Sequence, residues 1–166
     1  MIRAANVLTL AGVVTSAVVF ALAPAAGCAS RAAETAVGPS VVDAVLNEQR
    51  VTISFGELAA RVPLAAGESF KIAEIGRDAN SSHHIVALRG REPLHRHDRH
   101  DLLVVTLEGH GSMLIGSEER AVGPRSIVYV PRGAVHAMRN LSDSVLYGYA
   151  VFTPPFDGKD RVPVTQ

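Results

Sequence analysis

The sequence predicts an all-β domain, an antiparallel sandwich or barrel, and three observations carry that prediction. Short runs of β-branched and aliphatic residues recur from Ser69 to Phe152, at the roughly ten-residue spacing typical of such folds. Glycine, proline, asparagine or aspartate separates each run from the next, as tight turns require. Several runs are apolar on both faces, Leu102-Leu103-Val104-Val105 for one. That suits strands covered by a second sheet on one side and by a neighbouring segment or subunit on the other. A chain of 166 residues holds one such domain and is short for two.

A different kind of segment precedes the domain. No residue between Arg3 and Arg31 is charged, and this stretch, rich in Val, Leu and Ala, ends in Ala25-Ala26-Gly27. A basic start, an apolar run and small residues are the anatomy of a secretory signal, here residues 1–27. The run is also long enough for an uncleaved membrane anchor, but Pro24 and the small residues after it favour cleavage. Cys28, the only cysteine, follows directly. Ala25-Ala26-Gly27-Cys28 resembles the lipobox of bacterial lipoproteins, with Ala25 where a bulky aliphatic residue is usual, so ordinary cleavage near Ala29 stays open. One thiol allows no intrachain disulfide, and lipidation would remove a free thiol from an oxidising compartment. The expectation is an exported periplasmic or cell-envelope protein, lipid-anchored at Cys28. Residues 28–40 would form a tether, and residues 41–166 a single domain with its core at about 69–153.

Within the domain, Ser40 and Asp43 resemble a capping box, and Val42, Val45 and Leu46 follow at helical spacing, which predicts a short helix or irregular segment. Val51 to Leu64 reads two ways, because Ile53 and Phe55 alternate while Glu57-Leu58-Ala59-Ala60 suits a helix. Strands are then expected at Phe70 to Ile75, His84 to Leu88, Leu102 to Leu107, Ser112 to Ile115, Ser126 to Val130 and Val145 to Phe152. No repeat and no glycine-rich phosphate loop is visible. Formal charges balance to zero, Lys71 and Lys159 are the lysines, and Trp is absent. Neither a basic face nor a stacking platform for nucleic acid is therefore expected.

Chemistry concentrates in two segments. Four of the seven histidines lie between positions 95 and 110. Residues two apart on a strand share a face, so His95 and His97 can serve one centre, and Asp101 shares their parity beyond a turn at Asp98-Arg99. Imidazoles with a carboxylate form a mixed N/O site for a divalent transition metal, Fe, Mn, Ni, Cu or Zn. Farther on, Pro131 and Gly133 mark a turn and His136 begins the next strand. His100 and His110 read as solvated loop residues, and Tyr129 as core. One of the adjacent His83 and His84 should face the barrel.

Together these segments resemble the two motifs of the cupin superfamily. His95, His97, Asp101 and Gly109 follow the first; Pro131, Gly133, His136 and Asn140 follow the second. The likeness covers roughly Phe70 to Phe152 and implies a double-stranded β-helix, a jelly-roll barrel, with His95, His97, Asp101 and His136 as metal ligands. There are two departures. The family acid is usually glutamate, and alignment on Gly109 puts Leu102, which cannot ligate, at the acid position. Parity favours Asp101; His100 or water would substitute if the acid is lost. The resemblance further implies binding of a small molecule at the metal, with an oxygenase as the leading enzyme class and an isomerase next. The alternative is a non-catalytic metal- or ligand-binding module of the envelope. Homodimers are common in that superfamily.

Overall fold

The computed structural model describes residues 42–165; the leader, the tether and Cys28 lie outside the described residues. Two five-stranded antiparallel sheets and a small hairpin make up this part. The first sheet has the order β12-β5-β10-β7-β8. Its strands are β5 (His95–Arg96), β7 (Gly111–Ile115), β8 (Glu118–Val122), β10 (His136–Asn140) and β12 (Val162–Pro163). The second has the order β3-β4-β11-β6-β9. It comprises β3 (Phe70–Arg77), β4 (Ser82–Leu88), β6 (Asp101–Glu108), β9 (Ile127–Val130) and β11 (Leu146–Thr153). Facing sheets with neighbours far apart in sequence are the jelly-roll arrangement of a double-stranded β-helix. The expected all-β barrel is therefore what the chain forms.

Alternation explains the core. On β6 the even positions Leu102, Val104 and Thr106 are buried; on β11 they are Leu146, Gly148, Ala150 and Phe152. These meet Met113 and Met138 of the opposite sheet in one apolar cluster. Odd positions of β4, Ile85 and Ala87, face the other way and are fully buried beneath Leu58 and Val62. The second sheet is thus covered on both faces over part of its area, as its two-sided apolar runs require.

The N-terminal helix expectation is corrected. Val42–Leu46 is strand β1, paired with β2 (Gln49–Ile53). Its two-residue turn places Asn47 and Glu48 at φ 51° and 64°, the double positive φ that matches strand twist. The helical spacing of Val42, Val45 and Leu46 loses to pairing that buries Val42 and Leu46 at the strand's two ends. The capping box of this region is instead Ser54 with Glu57, which starts α1 (Phe55–Ala60) and drops Leu58 into the outer core. Val51 to Leu64 therefore holds a strand end followed by a helix. Charged β8 escapes a hydrophobicity reading because it is an exposed edge strand.

Candidate metal centre

Strand pairing assembles the centre. His95 stands directly opposite His136 in the β5–β10 register, which brings their ring centroids to 4.2 Å. His97, two residues beyond His95 and on the same face, lies 5.1 Å from His95 and 5.3 Å from His136 between ring centroids. One ring nitrogen from each of the three falls within 4.8 Å of the others, and all three residues are buried.

The remaining ring nitrogens are tied to the backbone. Nδ1 of His95 donates to the Pro93 carbonyl at 3.0 Å, and Nδ1 of His136 donates to that of Ala134 at 3.0 Å. Nδ1 of His97 donates to the Asp160 carbonyl. A carbonyl accepts only, so each imidazole holds its proton on Nδ1 and keeps the Nε2 lone pair available. His136 Nε2 is buried without a hydrogen-bond partner among the described residues. A stranded buried acceptor of this kind is costly, and a metal ion would satisfy it. Desolvation pushes His95 down to about 3 and His136 to about 4, and lowers His97 too. The imidazoles are therefore neutral near pH 7, the form that ligates. This donor set fits a divalent transition metal; neutral imidazole suits Zn, Cu, Fe and Ni.

Asp101, expected as the fourth ligand, lies outside this three-histidine group. Its carboxylate accepts from the Arg132 backbone N–H at 2.9 Å, from Nε at 3.1 Å and from Nη2 at 2.7 Å. Those bonds hold its carboxyl at about 2. Parity fails because it survives only along an uninterrupted strand. The bend at Asp98-Arg99 shifts the inward face from odd positions at His95 and His97 to even positions on β6. Leu102 is thus the residue that lines the cavity. His100 is no fourth ligand either. It is buried, not solvated, and its Nδ1 bonds Asp160 at 2.5 Å.

Asp160 was not among the sequence candidates, yet much of the site hangs on it. Besides His100, its carboxylate accepts from the backbone N–H groups of Asp98 at 3.0 Å and Arg99 at 2.8 Å. Hydrogen bonds to its ionised form outweigh desolvation and hold it at about 2. The same C-terminal segment lays Phe156 flat on Phe152, with centroids 4.6 Å apart, and edge-on to His97 at 5.5 Å. A charged pair, Asp160-Arg161, just before the short run Val162-Pro163 is the one trace of this segment in the sequence.

The imidazoles look into a barrel cavity of about 80 Å³. Its wall is aliphatic and aromatic apart from the histidines, Glu92 and Arg161. Burial raises the Glu92 carboxyl above its ordinary range. Neither of the adjacent histidines lines this space: His84 bonds Ser82 inside the barrel, while His83 bonds the Tyr149 hydroxyl at 2.7 Å. Tyr129 is exposed rather than core. Asn140 braces the loop after β10, donating to the carbonyls of Leu88 and Ser144.

Comparison with known proteins agrees with this fold. Residues 82–152 match the cupin domain family. An uncharacterized protein of Aquifex aeolicus is 35% identical over 98 residues, which is 58% of this chain and 79% of that protein. Among solved structures, TT1209 from Thermus thermophilus is similar with a TM-score of 0.52 at 25% identity, over 58% of this chain and 94% of that one. KdgF from a Halomonas species gives 0.52 at 20% identity, over 57% of this chain and 86% of that one.

Proposed function

Because this chain carries a cupin domain and belongs to one family with the Aquifex aeolicus protein, we propose that it is a metal-dependent enzyme. It holds one divalent transition metal on His95, His97 and His136 and acts on a small molecule by oxygen chemistry. The observation that carries this is the set of three buried imidazoles, each with Nδ1 engaged by a carbonyl and one Nε2 left without any partner. Three protein ligands leave an octahedral ion three positions for water, oxygen or substrate. When bound, such an ion supplies Lewis acidity and, if redox-active, one-electron chemistry.

The chain's own residues do the rest. Backbone carbonyls fix the imidazole planes and tautomers. Phe152 and Phe156 pack on His97 and keep water from its face. Isomerisation or decarboxylation needs a positioned acid or base; Glu92, the one carboxyl on this wall, faces Arg161, and the lining is otherwise apolar, which favours oxygen chemistry. Protein loaded with Fe(II), Ni(II) or Cu(II) should consume oxygen with a suitable small substrate, and His136→Ala should abolish uptake. One tightly held metal per chain, with no turnover over a broad panel, would instead mark a non-catalytic binding module.

The leader pattern supports a second proposal, on location: the protein is exported and lipid-anchored through Cys28. In that case Cys28→Ser moves it from the membrane fraction to the soluble one; unchanged partitioning contradicts the anchor.

A further inference from the structure

We propose that Arg161 is a specificity-determining residue that anchors a carboxylate, so that the cavity takes small monocarboxylates with an apolar body. This deepens the metal-centre reading of the same cavity and rests on it.

Position comes first. Just after Arg161, β12 pairs with β5, Val162 against Arg96 and Pro163 against His95. That register sets Arg161 beside the imidazoles, and it lines the same cavity. It is the one arginine on the cavity wall, and no lysine lies there.

The second argument is how loosely Arg161 is held. Its hydrogen bonds run from Nη2 and both are long, 3.5 Å to Glu92 Oε1 and 3.5 Å to the Pro93 carbonyl; its 3.3 Å approach to His95 Nδ1 is no bond, because that nitrogen carries its own proton. Two arginines that pair with carboxylates at the surface are held more tightly. Arg132 grips Asp101 at 2.7 Å, and Arg99 grips Asp157 at 2.9 Å. Arg161 thus keeps a planar fork of donors with spare capacity, the geometry that accepts a carboxylate in two parallel bonds. Glu92, its side chain only 12% exposed, is the resident counterion that an incoming carboxylate would displace. Beyond these two residues and the histidines the wall is apolar, so the remainder of the ligand is apolar as well.

Butyrate and its neutral counterpart butyramide test this on the full chain, by NMR shift titration of metal-free and Zn(II)-loaded samples. The metal-free sample separates Arg161 from direct binding of a carboxylate to zinc. Butyrate should bind about tenfold tighter than butyramide in both samples. Arg161→Gln should erase the preference, and Arg161→Lys should keep part of it. Glu92→Gln removes the competing carboxylate and should tighten butyrate about threefold, whereas a merely structural Glu92–Arg161 pair would give no gain. Equal binding of acid and amide, a preference that survives Arg161→Gln, or weaker butyrate binding in Glu92→Gln overturns the proposal. Zinc content of the same samples keeps the two readings apart. Butyrate preference without bound zinc sinks the metal reading alone; one zinc per chain without the preference sinks the carboxylate anchor alone.

Discussion

Under the proposed function, metal retention depends most on His136, because its Nε2 has no other partner among the described residues. His136→Ala should cut bound metal from one per chain to below a tenth of that, as read by elemental analysis. Asp101→Ala should leave metal content unchanged and cost only about 1 kcal/mol of stability, the scale of a partly exposed ion pair; metal loss there would restore Asp101 as a ligand. His84 makes a pH prediction. It is buried beside Phe152 and Phe156, and desolvation lowers it to about 4. Its neutral form is the one that folds, so the contribution is fully present above about pH 6.5 and drains away as pH falls toward 4. His95 and His136 act in the same direction in metal-free protein. Denaturant titrations between pH 7 and 4 should show falling stability, and His84→Gln should flatten the slope by at most about 1.4 kcal/mol per pH unit. An unchanged slope would remove His84 from this account.

Among the elements, the segment from Pro154 to Pro163 is decisive. Asp160→Ala would strand two backbone N–H groups and the His100 imidazole, and free the loop that carries His97. The expected cost is roughly 2–4 kcal/mol of stability and a ten- to hundredfold weaker metal affinity. Asp160→Asn, which keeps one acceptor, should recover part of both. Metal affinity untouched by Asp160→Ala would show that the segment is only a cover. This is also where the sequence was hardest to read. His95, His97 and His136 were legible because their type and spacing are local facts, fixed by strand period and by one turn. Asp101 falls outside the histidine group because a bend between two strands resets the period. Glu92, Asp160 and Arg161 stayed invisible because their roles depend on β12 pairing back onto β5, and no local pattern encodes that return. The first strand was missed for a similar reason, since its helical spacing is also that of a short strand buried at both ends.

At the scale of the whole molecule, metal binding and folding are linked. Metal at about a hundred times its dissociation constant should add about 2.7 kcal/mol of stability and raise the thermal midpoint by several degrees. Chelation should reverse the rise, and His136→Ala should show none; a midpoint that ignores metal would argue against a native-state site. One further consequence follows from the bond between His97 and Asp160, which joins positions 63 residues apart, and from the pairing of His95 with His136 across the sheet. Among the described residues, no contiguous stretch holds all three imidazoles of this set. The choice of ion therefore falls to the closed barrel, made from whatever its surroundings offer when it closes. If export delivers the chain unfolded, the metal it carries is decided by the place of folding rather than by ligand chemistry alone.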